Sequence, residues 1–326
     1  LRVAVVGTGA VGLRAARQLH ETDGVDAVRV LSLHPGRAEW AAGELGAGAS
    51  SAAWPSVAAE VDVVVLAVAE TEHAEMARVA LGEGAHVVST AGSIDAVDGV
   101  VSLDARAQSL ARTAVAGAAM SPGLSCLLAT LAARDVEVVE EIHVAKAGTG
   151  GPACARATHT FLRGSAASWR DGRWESELAG TGRELIWFPE PVGGVDCYAS
   201  ASAEPTLLTA AFPMARRVTA RLAATRRDKA TTWLPMLRPP HPEGRVGGLR
   251  VEVRGFTNGR AVTHIVGAVD RPAIVAGTLA AVAAIAAANG ELSSGAGGLA
   301  SLTREPGALL ARLAERGVKV AEFVGS

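Results

Sequence analysis

Gly7, Gly9 and Gly12 stand two and three residues apart in Val3-Ala4-Val5-Val6-Gly7-Thr8-Gly9-Ala10-Val11-Gly12, close to the start of the sequence. An apolar strand precedes them and an Ala-rich helical run, Leu13 to Leu19, follows, so they read as the corner between strand and helix. Glycine first in this pattern permits a tight turn, second lets backbone approach a diphosphate with no Cβ between, and third lets helix and strand pack closely. The unpaired N–H groups of the helix's first turn favour an anion. Gly7, Thr8, Gly9, Ala10, Val11 and Gly12 are thus a candidate cradle for a dinucleotide's phosphates. Glycine makes up 37 of 326 residues, so the flanking strand and helix carry this reading more than the glycines do; a purely structural turn is the alternative.

A second set of residue types suggests proton and carboxylate chemistry. Lys146, Arg156 and His159 come from one predicted unit: a strand over 136–147, a turn through Gly148-Thr149-Gly150-Gly151-Pro152, and a helix over 153–162. Arg156 and His159 are three apart and share a helical face. A cation beside an imidazole can hold a carboxylate and exchange a proton with nitrogen. A solvated face with His159 bonded to a neighbour is the alternative. Lys229 and Arg271 are more distant clamps. Tyr198, the only tyrosine, reads as a core residue with its hydroxyl bonded, since proton donation near neutrality needs a strongly perturbed phenol. Neither a Ser-His-Asp order nor an H-E-x-x-H spacing occurs, so no metal is expected.

The elements that must position these residues alternate between strand and helix. After the first helix comes a β-branched strand, 27–33, with Ser32 where an NAD-binding unit carries an acidic residue for the adenosine ribose. Serine does not repel a 2′-phosphate, and Arg37, with His34, is near enough to pair with one, so NADP is expected in preference to NAD. A solvated Arg37 is the other reading. A helix follows over 37–45 and a small-residue loop over 47–51. Residues 61–68 are nearly all apolar, as in a strand buried on both faces of a parallel sheet. Ala69 and Glu70 at its carboxyl end, and Thr90 and Ala91 after the next strand (85–89), should border the cofactor. A helix is expected over 73–81, strands over 100–103 and 115–120, and a helix from Asp104 to Leu110 between them.

Beyond residue 135 the pattern shifts to partial alternation with one wet face, and Asp171-Gly172 and Asn258-Gly259 signal hairpins. The basic residues between 216 and 229 interleave with Val218, Ala220 and Leu222, as on a strand with one solvated face. Arg238-Pro239-Pro240-His241-Pro242 reads as a stiff linker. Pro272 to Ala288 reads as a buried helix, Pro at its start and Asn289-Gly290 at its end. A glycine-rich loop (294–298), a helix (306–316) and a strand (318–324) close the sequence. The fold class is α/β: a doubly wound parallel sheet with a second α+β domain on a mixed, largely antiparallel sheet. The expected divisions are 1–120 for the dinucleotide, 121–270 for substrate and dimerisation, and 271–326 returning to the first domain.

Composition narrows the partners. Hydrophobic residues are 49%, charged residues 20% and aromatics 4%, and the net charge is -2, which suggests neither nucleic acid nor an anionic membrane. Cys126, Cys154 and Cys197 lack any C-x-x-C spacing and fit reduced thiols in a cytoplasmic protein. A small carboxylate-bearing substrate and a homodimer are expected.

Together the Gly7–Gly12 unit, a strand ending before Ser121-Pro122-Gly123, the helix after it and the later mixed domain resemble the saccharopine dehydrogenase family and its shorter reductase-like relatives. The resemblance implies a Rossmann unit and hydride transfer to or from an amino-acid-derived imine or secondary amine. Members acting on saccharopine often carry acidic residues just before and shortly after the P-G; here Ser121 and Ser125 stand there, which argues against saccharopine itself. Two alternatives stay open: a Gfo/Idh/MocA-like dehydrogenase of a hydroxyl or aldehyde substrate, though its usual E-K-P is missing, and a non-catalytic or redox-neutral dinucleotide-binding protein.

Overall fold

A computed structural model describes residues 1–231, 234 and 241–323. The first half alternates as β1 (Arg2–Val6), α1 (Ala10–His20), β2 (Ala27–Leu31), α2 (Pro35–Leu45), β3 (Ala49–Ser51), β4 (Val63–Leu66), α3 (His73–Gly82), β5 (His86–Ser89), α4 (Ile94–Val101), α5 (Asp104–Ser109) and β6 (Thr113–Val115). Its strands are all parallel, in the order β3-β2-β1-β4-β5-β6. Val3–Val6 and Val63–Leu66 are buried throughout, as strands covered on both faces must be. The strand order reverses between β1 and β4, leaving a crevice beyond their carboxyl ends. The glycine turn stands at that crevice.

Three local readings change in this half. Residues 100–103 are not a strand but the end of α4 and the turn after it. The Ser93 hydroxyl caps that helix by accepting the Ala96 N–H at 3.4 Å, and Ala96, Val97 and Val100 are buried at helical spacing. Within 47–51, taken for a loop, Ala49–Ser51 pairs with β2. The strand read at 115–120 stops at Val115. Gly117 turns the chain at φ +75°, and a Cβ there would lie 2.8 Å from the Pro122 ring, so only glycine lets the chain fold back onto Pro122.

The second half continues as α6 (Leu124–Ala133), β7 (Val138–Ala147), α7 (Pro152–Thr160), β8 (Ser165–Arg170), β9 (Arg173–Leu178), β10 (Glu184–Trp187), β11 (Gly194–Ala199), α8 (Glu204–Ala211), β12 (Arg217–Ala223), α9 (Arg226–Ala230), β13 (Gly247–Thr257) and β14 (Arg260–Asp270). The tail adds α10 (Pro272–Ala288), β15 (Gly295–Gly297), α11 (Leu299–Leu302), α12 (Pro306–Glu315) and β16 (Val320–Phe323). Among the described residues the second sheet runs β10-β11-β12-β7-β13-β14-β16, with β8 paired to β12 and β9. Both hairpin signals hold: Asp171 and Gly172 lie at φ +46° and +83°, Asn258 and Gly259 at +51° and +73°, the left-handed pairs that tight hairpins require. Trp169 and Trp174 brace the first hairpin edge to face, centroids 5.2 Å apart.

β7 was expected to be antiparallel with one wet face; Glu141 and His143 on one face are partly exposed, but only one of its two pairings is antiparallel. It lies centrally, parallel to β12 and antiparallel to β13. Its even residues Ile142 and Val144 join the core shared with the first sheet, whereas Ala145 and Ala147 pack in a separate cluster with Ile186, Phe188 and Cys197. Strand alternation therefore sets Lys146 on the side of Ile142 and Val144. On β12 the expected division holds: Val218, Ala220 and Leu222 are buried between partly exposed Arg217, Thr219 and Arg221.

α10 is buried on nearly every side, as an all-apolar helix must be. It lies on α1, β4 and β5. Its approach to α1 depends on Gly277, where a Cβ would fall 2.6 Å from Arg14 Cβ and 2.7 Å from the Val11 carbonyl. The loop expected at 294–298 contains β15, which adds a seventh parallel strand beyond β6, while β16 pairs with β14. The tail thus contributes a strand to each sheet. Of the stiff segment read at 238–242, Arg238, Pro239 and Pro240 lie outside the described residues, as does Val324. The described residues contain no helix long and apolar enough to cross a membrane, and Cys126, Cys154 and Cys197 are free thiols.

Candidate active site

The glycine turn is built from steric necessity. A Cβ on Gly7, held at φ +117°, would lie 2.1 Å from the Ala67 carbonyl oxygen, and one on Gly12 would lie 1.9 Å from that of Gly7. Gly9 differs: a Cβ there would meet nothing within 4 Å. Space is open above Gly9, which is the N-cap of α1 and supplies no side chain to the helix's first N–H groups, and the first turn holds no acidic residue. Leu13 N–H bonds back to Gly9, leaving the earlier amides of the turn for an anion. These features fit a diphosphate, with Gly7, Thr8, Gly9, Ala10, Val11 and Gly12 as its cradle.

Ser32 has a task the sequence did not indicate. Its Oγ accepts the Thr8 hydroxyl at 3.0 Å and the His34 N–H at 3.3 Å, so it ties the loop after β2 to the glycine turn. His34, the N-cap of α2, and Arg37, in that helix's first turn, are exposed at the rim beside Leu33. Arg37 makes no ion pair or hydrogen bond through its side chain among the described residues.

At the end of β4, Ala69 leads into a single turn, Glu70–Glu72. The Glu70 carboxylate accepts the N–H of Gly92 at 3.1 Å and of Ser93 at 3.1 Å, and the Ser93 hydroxyl at 2.8 Å. It thereby holds the loop after β5, in which Thr90 donates its hydroxyl to the Leu66 carbonyl at 2.9 Å and Ala91 is buried. Beneath this loop lies His73, 1% exposed. Ser89 donates its hydroxyl to His73 Nδ1 at 2.9 Å, and Nε2 donates to the Val68 carbonyl at 3.3 Å. Burial holds this imidazole below the usual histidine range, against the pull of Glu70.

The three residues expected to act together sit in different settings. Arg156 is exposed on α7. His159 is partly buried, and its Nε2 donates to the Thr231 carbonyl at 3.1 Å, so the ring is bonded to a neighbour. Lys146 alone extends from β7 toward the shared core, with no ion pair to another described residue. Burial holds its ammonium below the usual lysine range; Cys154, Glu204 and Glu70 act in the opposite sense. Conversely, burial pushes the Cys154 thiol up while Lys146 pulls it down. Helix α7 starts on the glycine turn itself, since a Cβ on Gly151, its N-cap, would lie 3.1 Å from Ala10 Cβ.

Glu204 was not foreseen. It opens α8 and is 0% exposed, yet Ala203-Glu204-Pro205 has the sequence of an ordinary solvated helix start. Ser121, just before the P-G turn and 9% exposed, donates its hydroxyl to Glu204 Oε1. Glu204 Oε2 and Ser125 Oγ are buried without a partner. The Ala203 N–H bonds to the Gly92 carbonyl at 3.0 Å, so Glu204 is fastened to the loop that Glu70 holds. Burial, with Glu204 nearby, pushes the Cys126 thiol up to about 12.

Comparison with known proteins agrees with this architecture. Residues 1–89 match the Gfo/Idh/MocA oxidoreductase family, described as an NAD-binding Rossmann fold. A search of curated protein sequences finds none that matches. Among solved structures, the chain is similar to apo saccharopine dehydrogenase (L-Glu forming) from Saccharomyces cerevisiae, with a TM-score of 0.70 at 16% identity over 99% of this chain and 100% of that one. It is also similar to the DAP dehydrogenase of C. glutamicum in complex with DAP, with a TM-score of 0.53 at 16% identity over 98% and 99%. The fold is thus similar to that of saccharopine dehydrogenase, and it opens on a Rossmann unit that matches the family model over residues 1–89.

Proposed function

We propose that the chain is an NADP-dependent oxidoreductase acting on an amino-acid-derived imine or secondary amine that carries a carboxylate. The observation that carries this reading is the place of Lys146 on the face of β7 whose Ile142 and Val144 pack into the core shared with the first sheet. The phosphates would rest on the Gly7–Gly12 turn, with Arg37 and His34 toward a 2′-phosphate and Ala69, Glu70, Thr90 and Ala91 along the crevice. A nicotinamide dinucleotide supplies or accepts hydride at the substrate carbon.

The chain's own part is the proton. In reduction the Lys146 ammonium gives one proton to the substrate nitrogen as its carbon gains hydride; in oxidation neutral Nζ takes that proton back. Because burial holds the amine below the usual lysine range, kcat for reduction falls as pH rises through that lowered value, and kcat for oxidation rises there. Arg156 and His159, on α7, would hold the substrate's carboxylate, His159 giving up its bond to the Thr231 carbonyl to do so.

The dehydrogenase of a hydroxyl or aldehyde substrate remains the second reading, favoured by the family match over residues 1–89. One experiment separates the two: NADPH consumption with mixtures of 2-oxo acids and amines against a panel of aldehydes, in the wild type and in Lys146→Met. Turnover restricted to the imine-forming mixtures, with kcat reduced about 100-fold by Lys146→Met and NADPH affinity unchanged, is expected. Turnover of aldehydes alone overturns the C–N assignment, and an unchanged kcat in the variant removes Lys146 from the chemistry.

A further inference from the structure

The second sheet holds a pocket on the face turned away from Lys146. Arg217 and Arg221 of β12, Arg250, Glu252 and Arg254 of β13 and Glu184 of β10 line it, over residues 143–145 of β7. Ala145 stands between Arg221 on one neighbouring strand and Arg250 on the other. Lys146, the next residue, belongs by strand alternation to the opposite face. The cavity measures about 110 Å³, room for a few water molecules or one compact polyatomic ion.

Its charges do not cancel. Four guanidinium groups line the pocket with two carboxylates, and every carboxylate in reach is already engaged. Glu252, 6% exposed, is shared by Arg250 at 2.7 Å and Arg254 at 2.5 Å. Glu184 pairs with Arg221 at 2.8 Å, and Arg221 donates as well to the Gly182 carbonyl. Glu141 stands opposite Arg217 on the β7–β12 ladder, but its carboxylate goes to His143 at 3.0 Å and to Arg254 at 3.4 Å. Arg217 is left over. Among the described residues its side chain makes no ion pair or hydrogen bond, and its Nε is buried without a partner. Buried polar atoms in this state are uncommon, and each calls for a water, an ion or a ligand. A guanidinium keeps its positive charge when buried and offers its donors in a planar fork, so an oxyanion completes it where a neutral or cationic group does not.

We propose that this pocket is a binding site for a compact oxyanion, a carboxylate or phosphate group, whose oxygens accept from Arg217 and are held by the surplus positive charge of the arginines around it. The site lies across the second sheet from Lys146 and depends neither on the dinucleotide turn nor on the chemistry assigned to the amine.

The test is titration of inorganic phosphate and, separately, of acetate into the full chain, followed by calorimetry and by amide chemical shifts, with chloride at matched ionic strength as the control. One or both oxyanions should bind the wild type saturably and shift the amides of residues 143–145, 217–221 and 250–254; which of the two binds identifies the group. Arg217→Gln, which removes the charge and the fork, should weaken binding at least about tenfold. Equal affinity in the folded variant overturns the site, as does equal competition by chloride. Shifts confined to residues 7–13 place the anion on the glycine turn and overturn the pocket as well. Should Arg217→Gln fail to fold, the wild-type shifts decide alone. If the wild type binds neither oxyanion and Arg217→Gln turns a dimer into a monomer in sedimentation, the arginines belong to an interface between copies of the chain and the anion site falls.

Discussion

The glycine turn and the surroundings of Lys146 meet through α7, whose N-cap Gly151 approaches Ala10, but they are constructed differently. The turn is backbone from consecutive residues, and its properties follow from what is missing at Gly7, Gly9 and Gly12. The surroundings of Lys146 on β7 are assembled from side chains that are far apart in sequence: Glu70 after β4, Cys154 on α7 and Glu204 on α8 all act on its ammonium. A local constellation declares itself through spacing. A dispersed one exists only once two sheets have been laid together.

The largest effect should come from setting the glycines of the turn against one another. Gly12→Ala places a methyl 1.9 Å from the Gly7 carbonyl oxygen, so strand and helix must part. A loss of about 1–3 kcal/mol or more is expected, seen as a lower Tm together with loss of NADPH binding. Gly9→Ala adds its methyl to open space. Its Tm should stay near that of the wild type while NADPH affinity drops about tenfold or more, because the methyl stands where backbone must meet phosphate. If the two variants lose stability equally, or Gly9→Ala binds NADPH normally, the turn is a structural corner and the cradle reading fails.

Legibility divides along the same line. The alternation of 27–33, 61–68 and 85–89 announced a parallel sheet, because strands buried on both faces must be apolar throughout, and Asp171-Gly172 and Asn258-Gly259 announced hairpins through the backbone angles they alone tolerate. Residues 100–103 misled because a short apolar run serves a helix as well as a strand; the cap at Ser93 decided it. The strand that carries Lys146 was legible, whereas the burial of its ammonium and the exposure of Arg156 belong to the folded chain. Glu204 was invisible, since a glutamate before a proline in a helix's first turn is ordinarily solvated. The position of Ser32 after β2 was legible, while its bond to Thr8 belongs to folded geometry.

A smaller effect tests which dinucleotide the turn receives. Arg37 is exposed and unpaired within the described chain, so Arg37→Ala should leave Tm unchanged. Loss of a charge-assisted pair with a 2′-phosphate should weaken NADPH binding about tenfold and leave NADH binding as it was. Equal losses for both dinucleotides, or for neither, would return Arg37 to the solvated face of α2 and remove the argument for NADP.

The smallest expected effect lies in the scaffold under the crevice, where acid should loosen the first sheet before it alters the second. The Thr113 N–H donates to His86 Nδ1 at 3.1 Å, across the β5–β6 pair, which requires that nitrogen to be unprotonated. Burial, then the nearby charge of Arg112, lowers the pKa of His86 to about 4. The folded pKa lies below the unfolded one, so the unfolded chain takes the proton first. The contribution to stability is therefore complete above about pH 6.5, the ordinary histidine value, and is lost as pH falls toward about 4. His73, also lowered by burial, acts in the same direction. Tm measured from neutral pH down should decline over this window, and His86→Gln, which offers Thr113 an amide oxygen instead, should decline less steeply. Hydrogen exchange adds the regional readout: amides of β5 and β6 should lose protection before those of β13 and β14. Simultaneous loss in both sheets would show that acid acts on the molecule as a whole and that the two histidines are not its point of entry.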